Sequence, residues 1–427
     1  MTYMQSTDSP SVAVVGGGAA GMLAAGRLVE LGCRVTVFEH SRSVCRKLLI
    51  TGKGRCNLTN DCSREELLEN VTKNPRFLYS AFSSFSSADT KRLFSEQLGV
   101  PLKTERGRRV FPVSDRSHDI VDALKRYASE AETVFEHVTA IARDSDGAVC
   151  GVVTQRATRP FDAVVLATGG RSYPLTGSDG SGYSIAEALG HTVTPLIPSL
   201  VPIVCRGDIC GRLEGLSLRN VALSIRRDEG GREIYRDFGE LVFTSNGMSG
   251  PMILSASAHL RDADLSTLSA HIDLKPALDE KTLDARLRSD FEKYARSDFV
   301  NSLASLLPSK MIRPFVERTG IDPRKKAAEL TREERRRVLT TLKDFEVGIA
   351  SLGRIEEAVI TSGGISVSEI QPATMMSKKC PGLFFAGEII DVDAYTGGYN
   401  LQIAFSTAYL AASGAASFSQ ERRERDA

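Results

Sequence analysis

The 427-residue sequence predicts an α/β fold interrupted by an inserted β unit and a helical unit. Three observations carry this. A short apolar strand, a glycine-rich turn and a helix open the chain and lead into a second strand. Short apolar strands of the same kind return only near the C-terminus. Between them the texture changes twice, first to alternating segments rich in turn residues, then to charged, helix-patterned ones.

In chain order, 12–15 reads as a fully buried strand, 16–21 as a tight turn and 22–31 as a helix ended by Gly32. Residues 34–38 read as the second strand, ending in Glu39. Helical spacing recurs at 64–71, 88–98 and 118–131. Residues 134–155 read as two or three strands with a turn at 144–147, and 162–167 as another buried strand closed by Thr168, Gly169 and Gly170. Alternation with Gly, Pro and Asn turns over 193–253 predicts a small antiparallel unit. Residues 275–345 predict helices starting at Asp279, Ser309 and Thr331. Strands return at 356–370 and 382–386, and a last helix covers about 402–416 before a charged tail. The expected division is one domain from 1–192 and 356–427, with 193–355 inserted (β unit about 193–255, helical unit about 256–345).

Composition narrows the class. Lys and Arg number 54 against 53 Asp and Glu, so bulk charge does not hold this chain to nucleic acid or membrane, and only a local patch could. Eight scattered Cys do not read as a disulfide framework. Residues 1–11 are polar and carry no export pattern. Residues 394–420 lack charge but contain Asn400, Gln402 and several glycines, so they read as a loop and a buried helix rather than a membrane span. The expected location is the cytoplasm, with no membrane partner.

The chemistry starts at Gly16-x-Gly18-x-x-Gly21, which follows a strand and opens a helix. Gly16 permits the turn, Gly18 lets backbone approach a pyrophosphate, and Gly21 lets helix pack on strand; Ala19 and Ala20, in the same turn, are further cofactor-binding candidates. Glu39 ends the next strand, where a carboxylate can hold ribose hydroxyls. Two distant segments select FAD over NAD. The strand ending in Thr168 and Gly169 resembles the second glycine motif of flavoproteins. Residues 382–388 resemble the strand-plus-glycine-acid motif that meets the pyrophosphate and ribityl chain, with Glu388, Asp391 and Asp393 all left as candidate carboxylates. Gly397, Gly398, Tyr399, Asn400 and Leu401 open the last helix, whose N-terminus suits the flavin pyrimidine edge. A second Gly-x-Gly-x-x-Gly is absent, so NAD(P)H as electron donor would dock transiently, or another donor would reduce the flavin.

Residues 46–60 (RKLLITGKGRCNLTN) resemble the signature of the YhiN-like flavoproteins, also labelled BaiN-like or aminoacetone-oxidase-like. Residues 169–174, 177–183, 244–251, 361–365 and 397–402 resemble the same family, so the likeness runs from residue 12 to about 416. Cys45 stands where the family commonly has Gly. The resemblance implies a glutathione-reductase-type, FAD-binding Rossmann domain with an inserted β-barrel and a helical domain. Within the signature, Arg46, Lys47 and Arg55 could face phosphates or an anionic substrate. Cys56 could be an activated thiol or a proton donor, against the plainer reading of a small buried cysteine. Tyr399 is a second catalytic candidate.

Other motifs carry less. Cys205-x4-Cys210 has the spacing of a redox pair but lies in the insertion, far from where disulfide reductases place theirs. The six His are not clustered, His191 reads as structural, and no metal-ligand spacing exists. The basic residues between Arg324 and Arg337 are interleaved with acids and read as a solvated helix pair or as a face for RNA phosphates. The resemblance leaves three reactions open: dihydrouridine formation in large-subunit ribosomal RNA, reduction of a 3-dehydro bile acid or similar enone, and oxidation of aminoacetone. A non-catalytic factor binding FAD and RNA is the alternative from another class.

Overall fold

A computed structural model describes residues 9–228, 231–261 and 263–426. These residues form two compact units, one from the chain ends and one spanning 199–354.

In the first unit, strand β1 (Ser11–Val15) is buried along its whole length, as a strand covered on both faces must be. Helix α1 (Ala19–Glu30) crosses to β2 (Arg34–Phe38), which pairs parallel with β1. With β3 (Glu132–Val134), β4 (Ala163–Leu166) and β11 (Leu383–Phe385) they make a five-stranded parallel sheet in the order β11-β4-β1-β2-β3. That order sets the ends of β1, β4 and β11 side by side. The C-terminal helix α7 (Tyr399–Asp426) and helix α3 (Ser117–Tyr127) pack on α1. α7 is longer than the expected 402–416. The charged tail continues the helix because Arg422 pairs with Asp144 at 2.7 Å and Arg423 with Asp162 at 3.0 Å. Of the strands expected over 356–370, only Ile360–Ser362 forms, flanked by single turns of 3-10 helix.

The second unit is a closed antiparallel barrel with helices. Strands β5 (Ile203–Cys205), β6 (Ser217–Arg227), β7 (Glu233–Phe243), β8 (Gly247–Ser249), β9 (Leu268–Asp273) and β10 (Phe345–Leu352) close in the order β5-β8-β7-β6-β9-β10. The last two lie outside the alternating window read from the sequence. Helices α4 (Glu280–Lys293), α5 (Ser309–Thr319) and α6 (Arg332–Lys343) occur between them. α4 and α6 start at polar caps, whereas α5 starts at Ser309 behind Pro308, which makes no side-chain cap bond. Asp279 accepts from the Thr282 N–H at 2.7 Å, and Thr331 forms a reciprocal capping box with Glu334.

Candidate functional site

The turn after β1 is shaped by steric necessity. Gly16 has φ +102°, and a Cβ there would stand 2.5 Å from the Ala167 carbonyl oxygen at the end of β4. A Cβ on Gly21 would overlap the Gly16 carbonyl. At Gly18 a Cβ would meet nothing within 4 Å, so the backbone there faces open ground. Gly18 caps α1 without a side-chain hydrogen bond, and no acid stands in the first turn. The first N–H groups of α1 have no partner inside the helix and carry its positive end, which suits an anion.

Glu39 is only 7% exposed. Its Oε2 accepts from the Gly17 N–H at 2.9 Å, and Oε1 accepts from the Ser41 N–H at 2.7 Å and from the Ser41 hydroxyl. The carboxylate therefore ties the second strand to the glycine turn. Cys45 takes the left-handed conformation (φ +60°) and donates its N–H to the Gly17 carbonyl at 2.8 Å. Where the family commonly has Gly, this chain keeps the same kind of backbone at a cost of about 1–2 kcal/mol.

β4 and β11 deliver the other two segments. Thr168 and Gly169 leave β4 beside Gly16. A Cβ on Gly387, just past β11, would stand 2.9 Å from the Ala20 Cβ in the first turn of α1. The three carboxylates left open by the sequence go two ways. Glu388 binds Lys47 Nζ at 2.7 Å through Oε2, while Oε1 accepts from the Thr361 N–H at 2.8 Å and the Ser172 hydroxyl at 3.1 Å. Asp391 pairs with Lys73 at 2.7 Å, and Asp393 accepts from the Thr72 hydroxyl. Both lie on the segment against residues 71–73.

The Gly397–Gly398 turn precedes α7. A Cβ on Gly398 would overlap the Thr59 carbonyl, so glycine allows residues 59–60 to lie against the turn. Asn60 donates to the Gly397 carbonyl at 3.1 Å and to the Gly107 carbonyl at 3.0 Å. Asn400 folds back, accepting from the Ala394 N–H at 3.0 Å and donating to the Ala394 carbonyl at 2.8 Å, so its side chain holds the loop. Leu401 is half-buried beside it. Tyr399 keeps part of its surface, and burial pushes its phenol up to about 12.

The signature loop differs from its reading in sequence. Lys47 is not left to face an anion, because Glu388 and the Ser172 hydroxyl, also at 2.7 Å, take its ammonium. Arg55 bonds Asp115 at 2.7 Å and pairs with Glu105, its guanidinium lying over the Phe111 ring. Arg46, at the start of helix α2 (Arg46–Ile50), has no carboxylate partner among the described residues. Cys56 is fully buried in a left-handed turn, and burial pushes its thiol up to about 12. Burial weighs against the activated-thiol reading, because loss of solvation favours the protonated sulfur. In the other unit Cys205 and Cys210 are free and buried, and the Cys205 thiol donates to the Ile203 carbonyl at 3.8 Å. His191 is buried against Ser377, at 2.8 Å, and Glu369. No group of three His, Cys, Asp or Glu among the described residues could hold a metal. None of the described helices is long and apolar enough to cross a membrane.

Sequence reasoning missed Ser172, Thr361, Asn57 and Asn60 as site residues, although all four lie inside the segments that carry the family resemblance. Thr168 Oγ1, Asn57 Oδ1 and Asn60 Oδ1 are buried polar atoms without a protein hydrogen-bond partner. With the open ground at Gly18 and the tethered Glu39, these groups fit a bound dinucleotide.

Fold and site together define a Rossmann flavoprotein of the oxidoreductase class, with FAD as its cofactor. Residues 10–414 match the HI0933-like protein Rossmann domain, and the chain belongs to that family. A 3-dehydro-bile acid delta(4,6)-reductase of Clostridium scindens is 28% identical over 95% of this chain and 98% of its own length. A ribosomal RNA dihydrouridine synthase of Escherichia coli is 29% identical over 93% and 96%. The 3-ketosteroid-delta4-(5alpha)-dehydrogenase of Rhodococcus jostii, 15% identical over 98% and 99%, shares the fold with a TM-score of 0.50.

Proposed function

We propose that the chain is an FAD-dependent reductase that saturates a carbonyl-activated C=C bond, with uracil in large-subunit ribosomal RNA as the leading substrate. One observation supports this above others. The chain is similar over nearly its whole length to relatives whose names describe two substrates and one chemistry, addition of two hydrogens to a conjugated C=C. Bound FAD would supply the hydride chemistry.

The chain's own residues divide the remaining work. The amides of Gly18, Ala19, Ala20 and Gly21 take the pyrophosphate at the positive end of α1, and Glu39 takes the ribose hydroxyls. Thr168, Gly169, Gly387 and Glu388 line the middle of the cofactor, with Glu388 oriented by Lys47 and Ser172. Asp391 and Arg46 remain in the proposed set at its edges, and Arg55 acts through the shape of its loop. The N-terminus of α7, with Gly397, Gly398, Asn400 and Leu401, meets the pyrimidine edge. The proton is assigned to Tyr399 rather than Cys56, since both groups are protonated at pH 7 but only the phenol keeps part of its surface while the thiol is fully buried. NAD(P)H is the proposed electron donor.

The test is deletion of the gene in its host, followed by nucleoside mass spectrometry of purified large-subunit ribosomal RNA. Loss of a dihydrouridine, restored by the intact gene and not by Tyr399→Phe, is the expected result. An unchanged level rejects the RNA substrate. The second reading, reduction of an enone of the bile-acid type, rests on the Clostridium relative. It predicts bleaching reversal of the reduced holoenzyme by a steroid 4-en-3-one.

A further inference from the structure

The helical part of the second unit separates charges that the sequence interleaves. From Ser309 to Arg337 there are ten Lys and Arg against five Asp and Glu, in a chain that is nearly neutral overall. Three of the five acids are engaged in the fold, Asp322 by accepting from the Arg324 N–H at 2.9 Å. Glu334 closes the capping box of α6 and binds Lys325 at 2.8 Å. Glu317 pairs with Arg212 at 2.7 Å. Arg335 turns to Asp284 on α4 at 2.7 Å, on the side of α6 that also buries Val338, Leu339 and Leu342.

The other side of α6 faces a groove of about 370 Å³ shared with the end of α5. Arg318, Arg336 and Arg337 line it with the hydroxyl-bearing Thr340 and Thr341; Glu333 is the lining carboxylate, and Arg337 also reaches Glu334 at 4.0 Å. Arg318 is held in place, stacked over Phe345 at 4.2 Å and donating to the Glu346 carbonyl. Arg336 has no acid partner among the described residues. Arg332, Arg336 and Thr340 follow at helical spacing of four, so donors repeat along about 12 Å of one face.

The geometry points to this groove as a docking site for the sugar-phosphate backbone of RNA. Guanidinium forks match phosphate oxygens in pairs, threonine hydroxyls add donors at the same height, and the contact needs no base readout. It rests on the ribosomal RNA reading above and adds to it a surface whose role is binding alone.

The experiment uses the full-length holoenzyme and deproteinised large-subunit ribosomal RNA, with filter binding between 50 and 200 mM KCl. The double variant Arg336→Glu/Arg337→Glu is compared with a control of equal charge on the barrel, Arg219→Glu/Arg236→Glu. FAD absorbance and Tm confirm that each is folded. The expected result is binding at least tenfold weaker for the groove variant. Its slope of log K against log salt should also be shallower by about 1.4, the value for two lost phosphate contacts to single strands. The control should lose clearly less. Equal losses in both variants, or wild-type binding by the groove variant, overturn the groove. If dihydrouridine disappears in the deletion strain while RNA binding ignores Arg336 and Arg337, the groove alone falls. Unchanged dihydrouridine in that strain rejects the ribosomal RNA reading itself.

Discussion

The glycine turn at 16–21 and the signature loop at 46–60 both read as cofactor-facing, yet they are built on opposite principles. The turn offers backbone. Its N–H groups come free with the start of α1, and its glycines exclude atoms that would block them. The loop offers side chains, and the fold has already spent most of them. Lys47 is bound to Glu388, Arg55 is held by Glu105 and Asp115, and Cys56 is sealed from solvent. A backbone site is defined by its own few residues, whereas a charged side chain belongs to whichever partner the rest of the chain brings to it.

That contrast can be broken by substitution. The largest effect is expected for Gly21→Ala, whose methyl would overlap the Gly16 carbonyl. Destabilisation of about 3 kcal/mol or more should appear as loss of the folded chain in urea titration. Gly18→Ala separates binding from folding. With nothing within 4 Å of the new methyl, Tm of the FAD-free protein should stay within about 2 °C, while FAD affinity falls by roughly a hundredfold by equilibrium dialysis. An unchanged affinity would remove the pyrophosphate from that turn.

The loop should respond through stability and reactivity. Because burial pushes the Cys56 thiol up to about 12, it stays protonated from pH 7 to 10 in the folded chain. Its alkylation by iodoacetamide, followed by peptide mass spectrometry, should be at least a hundredfold slower than in urea at pH 9. The same shift makes the native state bind more protons than the unfolded state above about pH 9. Its contribution to stability is complete below the unfolded pKa and is lost as pH rises toward 12, so Tm should fall less over this range in Cys56→Ala. Lys47→Met leaves Glu388 without its ammonium in a partly exposed pair and should cost about 2 kcal/mol, part of which Glu388→Gln in the same chain restores. Arg55→Ala, at a half-buried and well-solvated pair, should cost less than about 1 kcal/mol and shift FAD affinity less than twofold.

Much of the architecture was legible in one dimension. The β1–α1–β2 unit follows from an apolar run, a glycine turn and helical spacing. Asp279 and Thr331 mark the starts of α4 and α6, because a cap is a local hydrogen bond between neighbours in sequence. Less legible were β9 and β10, six and eight residues long and lying outside the window of alternation, whose pairing across the helices closes the barrel. The extension of α7 through the charged tail was hidden for a related reason. It depends on Asp144 and Asp162, more than 250 residues earlier.

The sequence by itself determined where backbone must bend, where helices begin and which glycine leaves the start of α1 open. These are short-range consequences of sterics and of donors left over at a helix end. Tertiary structure decided which charges remain available. It placed Glu388 on Lys47, turned Asp391 and Asp393 toward residues 72 and 73, buried the sulfur of Cys56, and left the guanidinium of Arg336 without an acid partner among the described residues. Ion pairing and desolvation act through space, so residues hundreds of positions apart set the chemistry of each group.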